Sequence, residues 1–166
     1  MNRGLILVII LIIFLAPIAF VMGGDNLMSQ ITFRYHQVIG RTTQVTINDL
    51  TYDVEVANTD SQRAKGLSGR DSLRNNTGML FIFSESKNWG FWMKDTNVPL
   101  DIIWIENNRI VDIKKEARPT EEENPVTYYP VSEAKMVLEF IGGTATQNAM
   151  EIDQLVNIDN IDKFTN

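Results

Sequence analysis

The stretch GMLFIFSESKNWGFWMKDTNVPLDIIWIE, residues 78–106, decides how this chain folds. It holds all three Trp residues (Trp89, Trp92, Trp104) and three of the eight Phe. It divides into three short apolar runs, 79–83, 89–93 and 102–105. Short apolar runs rich in aromatic and β-branched residues, bounded by Gly, Pro, Asn and Asp, are strand signals. Between the last two runs lies a polar knot, Lys94-Asp95-Thr96-Asn97, followed by Val98-Pro99-Leu100-Asp101. The heaviest apolar material therefore sits on strands, and a charged loop is held between two of them. That loop is the candidate site.

Working outward, the segments TQVTI (43–47) and YDVEVA (52–57) both alternate, and Asn48-Asp49-Leu50 joins them. Asn and Asp tolerate the left-handed backbone of a tight hairpin. Val54 and Val56 are expected to face the core, Asp53 and Glu55 water. Thr59-Asp60-Ser61 offers an N-capping oxygen for a short helix over 62–65, which Gly66 ends. RIVDIK (109–114) pairs back on 102–106 across Asn107-Asn108, a two-residue turn with positive φ at both positions. Residues 117–130 read as loop, with Pro119, Pro125, Pro130 and the acidic run Glu121-Glu122-Glu123. MVLEFI (136–141) is a further strand, broken by Gly142-Gly143. Residues 144–150 suit one or two helical turns capped by Thr144, and 155–158 a last strand before a polar tail, 159–166. Strand follows strand without regular intervening helices, so a parallel βαβ sheet is not expected. The expected fold is mainly β: a single β-sandwich or barrel-like domain with two short helices.

Composition narrows the function classes. The chain has 166 residues, no Cys and one His, His36, which lies in an alternating stretch, 31–39. Disulfides, thiolate metal sites and cysteine nucleophiles are excluded, and a Ser-His-Asp triad has only His36 to run through. Met without His or Cys is a poor copper site, so no metal and no cofactor is expected. Net charge is −6. An acidic chain without a basic patch argues against nucleic acid as partner. Leu5 to Met22 is an unbroken apolar run, LILVIILIIFLAPIAFVM, about 27 Å long as a helix and near the thickness of a bilayer core. Arg3 precedes it, which places the rest of the chain outside the cytoplasm. Residues 1–24 are thus expected to be a membrane anchor, or a signal segment cut near Val21-Met22-Gly23 to release a secreted domain. Residues 25–42 would then be a linker with a possible first strand, ahead of a β domain over 43–158.

Three pieces together are distinctive. They are Arg63-Ala-Lys-Gly66-Leu67-Ser-Gly-Arg70, then Gly78-Met79-Leu80-Phe81, then Phe91-Trp92-Met93-Lys94-Asp95-Thr96-Asn97-Val98-Pro99-Leu100-Asp101. Their order and spacing resemble the DUF192 (UPF0127) family, and Val137-Leu138-Glu139-Phe140 followed by Gly-Gly fits the same pattern. The resemblance runs from about Thr43 to Ile158. Asp95 stands where the family often has Asn. The resemblance implies a mainly-β, sandwich-like domain, often behind a signal or membrane segment, and says little about activity.

Two readings of the loop stand side by side. As a ligand site, Lys94, Asp95, Thr96 and Asp101 face Arg63 and Arg70, whose guanidinium groups can clamp a carboxylate or phosphate. Met79, Trp92 and Met93, with Phe81, then line an apolar pocket. As a structural lock, Asp95 and Thr96 cap the turn through their own backbone, Asp101 pairs with an Arg, and the Met and aromatic residues are core. The expected function is a tethered binding or accessory module for a small or extended envelope ligand, such as a glycan or a peptide end. The alternatives are an envelope hydrolase pairing Asp101, Glu106 or Glu139 with Asp95, or a structural subunit of a membrane complex.

Overall fold

The computed structural model describes residues 41–120 and 126–165. Strands β1 (Arg41–Ile47) and β2 (Leu50–Ala57) form the first hairpin, with Asn48 and Asp49 at φ 51° and 62°. Val54 and Val56 are buried as their alternation demands. Helix α1 (Asp60–Lys65) is capped by Thr59, whose side chain accepts from Gln62 N while the Gln62 side chain accepts from Thr59 N. Gly66, at φ 47°, ends it in a backbone shape that a side chain resists.

Strand β3 (Thr77–Lys87) then lies parallel to β2, with Asp53 opposite Thr77 and Ala57 opposite Phe81. The sheet is otherwise antiparallel, as expected for strands without regular intervening helices, and this one parallel pair is the exception. Residues 58–76 return the chain to the same end of the sheet, and the single six-residue helix they hold is too short to mark a βαβ unit by pattern. Strands β5 (Leu100–Glu106) and β8 (Ala134–Ile141) fill the centre and β6 (Arg109–Ala117) forms an edge, all antiparallel to their neighbours. The β5–β6 turn has Asn107 and Asn108 at φ 48° and 59°.

The sheet order is β6-β5-β8-β3-β2-β1-β9, where β9 is Asn157–Ile158. This is one curled seven-stranded sheet, a half-barrel, and not a sandwich of two sheets. Its second sheet is only a ribbon of β4 (Phe91–Trp92) and β7 (Thr127–Tyr128). The apolar run 89–93 and the proline-rich 117–130 segment, read as strand and loop, thus contribute two residues each to that ribbon. The closing segment reaches both ends of the order. Ile110 N donates to Gln154 O and Val156 N to Asn108 O on the β6 side, while β9 pairs with β1 at Val45 and Thr46.

Because β3, β5 and β8 lie in the middle and carry apolar residues on both faces, both faces of the sheet are buried. Val45, Tyr52, Leu80, Ile103, Leu138 and Phe140 pack on one face, together with Ala145, Met150 and Phe164. Met79, Phe81, Ile102, Trp104 and Val137 pack on the other, under Leu67, Phe91 and Met93. Helix α2 (Thr144–Gln147) is capped by Gly143 and not by Thr144, whose hydroxyl instead donates to Ile141 O at 2.8 Å. Among the described residues no helix is long and apolar enough to cross a membrane. The 5–22 run, the 25–40 segment with His36, and Glu121-Glu122-Glu123 lie outside them.

Candidate functional site

The alternation along β8 puts Leu138 and Phe140 on one face and Val137 and Glu139 on the other. Glu139 sits between Met79 on β3 and Ile102 on β5, both apolar. It is 4% exposed, and no described residue donates a hydrogen bond to its side chain. Removal from water penalises the charged carboxylate, and burial pushes its pKa from 4.5 up to about 8. At neutral pH this is a carboxylic acid, a donor and acceptor together.

Above it opens a cleft of about 340 Å³. Phe81, Phe83, Trp89 and Phe91 line it, with Arg63, Lys65, Trp92, Lys94, Asp95 and Thr96 around them. The aromatic wall is interlocked. Phe83 stacks on Trp89 with ring centres 4.0 Å apart, and Phe91 meets Phe81 edge-on at 4.9 Å. The Trp104 indole N–H donates to Trp89 O at 2.9 Å, which ties this wall to β5. Gly69 N donates to Asp95 O at 2.8 Å and so joins the loop after α1 to the Lys94–Asp95 turn.

The predicted site residues separate into three groups. Arg63, Trp92, Lys94, Asp95 and Thr96 line the cleft. Arg63 is already engaged: it donates to Ile82 O at 2.7 Å, pairs with Asp60, and lies over the Phe83 ring. Trp92 is 56% exposed. Thr96 is buried and donates to Lys94 O. Asp95 takes φ 54°, a region that Asp and Asn both tolerate. Met79 and Met93 are core, packed beneath the cleft. Arg70 and Asp101 lie elsewhere. Arg70 makes two 2.7 Å bonds to Glu55, and the bonded carboxylate raises its pKa further. Asp101 is fully buried on the opposite face from Glu139, where it accepts from Glu116 N at 2.8 Å and Ala145 N at 2.7 Å. It holds the start of α2 through backbone N–H groups, not through an Arg.

Of the carboxylates that sequence reasoning paired with Asp95, Glu106 accepts from Ser86 and Asp101 faces away, so only Glu139 shares its cleft. The cleft walls Phe83 and Trp89 escaped sequence reasoning. The signal for Glu139 was there: one acid inside MVLEFI, a run apolar enough for a strand buried on both faces.

The family model DUF192, described as an uncharacterized ACR, matches residues 43–158. This chain belongs to the DUF192 family. No curated protein matches it. Among solved structures, a protein of unknown function from Novosphingobium aromaticivorans is 30% identical, with a TM-score of 0.60 over 70% of this chain and 83% of its own. A Sinorhizobium meliloti protein, described as a candidate transcription regulator, is 29% identical, with a TM-score of 0.63 over 72% and 95%. Both alignments cover most of the relative's chain.

Proposed function

We propose that this DUF192 domain is a binding module for a small or extended envelope ligand, such as a glycan or a peptide end, held in the cleft over Glu139. Residues 5–22 would tether it outside the membrane. The observation that supports this reading is the Glu139 carboxyl, 4% exposed, which opens only into the base of an aromatic-walled cleft. Buried polar groups are almost always bonded, and leaving one unbonded costs stability. An acid facing the cleft from an apolar sheet is placed to meet a group that arrives from outside. Flat apolar walls suit a sugar ring or a hydrophobic side chain. The regulator description belongs to the Sinorhizobium protein, and a net charge of −6 weighs against nucleic acid here.

The test titrates the full-length chain with cell-wall oligosaccharides and short peptides while backbone amide resonances are followed. Shifts should gather at Gly66, Trp89, Trp92 and Thr96. Shifts confined to other surfaces, such as the Arg70–Glu55 pair, would sink the reading.

One observation favours a second reading, hydrolysis. Glu139 has the raised pKa of a general acid, and Asp95 is a second carboxylate on the same cleft. Glu139→Gln separates the two: a hydrolase loses turnover of a bound glycan, while a binding module shows none to lose.

A further inference from the structure

We infer that the ligand group meeting Glu139 is an anion, a carboxylate joined to a flat apolar body, and that the domain selects it over the corresponding amide or amine. This rests on the binding reading above and names the ligand class for the same cleft.

Three observations point the same way. First, every side chain packed beside Glu139 in the sheet is uncharged: Met79 from β3 and Ile102 from β5. Neither strand neighbour stabilises the ionised form, and burial outweighs the cations at the cleft's rim, so the group at the base of the cleft is an O–H donor at neutral pH. A neutral acid donating to a carboxylate makes a short, charge-assisted bond, stronger than one to a neutral acceptor.

Second, the charged groups around the cleft are Arg63 and Lys65 from α1, and Lys94 and Asp95 from the turn after β4. Arg63 is offset by Asp60. Lys65 and Lys94 have no ion-pair partner among the described residues. On a chain of net charge −6 the cleft carries a local cationic excess. Such a field draws anions in and repels a ligand ammonium. Third, the walls are aromatic and stacked, which suits a flat body attached to that anion.

Three probes sharing one ring test the charge class: benzoate, benzamide and benzylamine. Each is titrated into the full-length chain at pH 6 and pH 9, with amide shifts read at the cleft. Benzoate should bind most tightly at pH 6. Its affinity should fall about tenfold by pH 9, because Glu139, titrating near 8, loses its donor proton. Glu139→Gln keeps a donor that does not titrate, so benzoate should still bind and the pH dependence should vanish. Lys94→Ala should weaken benzoate several-fold and leave benzamide unchanged. Benzylamine or benzamide binding best, or benzoate gaining affinity with pH, overturns the inference and leaves the binding reading standing. No cleft shift with any of the three probes at either pH also overturns the inference, while the binding reading falls only if the oligosaccharides and peptides leave the cleft unshifted as well.

Discussion

Glu139 and Asp101 lie on the paired strands β8 and β5, one residue out of register, since Asp101 pairs with Phe140 and Glu139 with Ile102, yet they meet opposite environments. Asp101 accepts from two backbone N–H groups, whereas Glu139 has none. The consequence for stability is a matter of sign. The folded pKa of Glu139 is raised, so the folded state holds one more proton than the unfolded chain between pH 4.5 and about 8. Its contribution is therefore fully present below pH 4.5 and is lost as pH rises through about 8. Glu139→Gln should flatten that fall and leave the variant more stable than the parent at pH 9, by at least about 1 kcal/mol. Urea unfolding at pH 5 and pH 9 checks it, and parallel losses in both proteins would show that Glu139 is hydrated after all. Asp101→Ala strands the buried Ala145 N–H and the half-buried Glu116 N–H and should cost about 3 kcal/mol. Lys94→Ala removes an exposed side chain without a described partner, and its unfolding free energy should stay within about 0.5 kcal/mol of the parent. The contrast between these two variants divides the Lys94–Asp101 segment into a ligand-facing start and a structural end.

The elements show how far periodicity carries. Hairpin turns were legible because Asn48-Asp49 and Asn107-Asn108 need left-handed backbone, and that need is written in the residue type. Helix α1 was legible through its Thr59 cap and Gly66 stop. Helix α2 lies where its pattern put it, but its N-terminus is served by Asp101 from a distant strand and not by Thr144 beside it. Gly78 opens β3 for a reason only the sheet reveals: a Cβ there would lie 2.3 Å from Glu139 O on β8. Gly78→Ala must push β3 away from β8 and should lower stability by roughly 2 kcal/mol or more. It should also broaden the resonances of the cleft. A neutral effect on urea unfolding would mean that the two strands are not held this closely.

At the scale of the molecule, the curl of the sheet depends on its last segment. Val156 and Phe164 pack into one core face, and Gln154 and Val156 bond to the β6 side of the sheet. A chain stopped at Asp153 loses both side chains and should lose roughly 3 kcal/mol or more, with faster hydrogen exchange on β1 and β6. Unchanged exchange on both strands would mean that the half-barrel stands without its closing segment.

The amino-acid sequence by itself determined the long strands, their turns, the first helix and the family, because each of these rests on local periodicity, on backbone preference or on a distinctive string such as FWMKDTNVPLD. It also brought forward Lys94, Asp95 and Trp92, which do line the cleft. Only the tertiary structure decided that β2 and β3 run parallel, that the sheet is single, and that Arg70 and Asp101 turn away while Glu139 turns in. The physical reason is register. A residue's face in a strand is set by which neighbour it pairs with, and a shift of one residue exchanges core for cleft. That choice is made by contacts between residues far apart in the chain, such as Met79, Ile102 and Glu139, and no local pattern holds it.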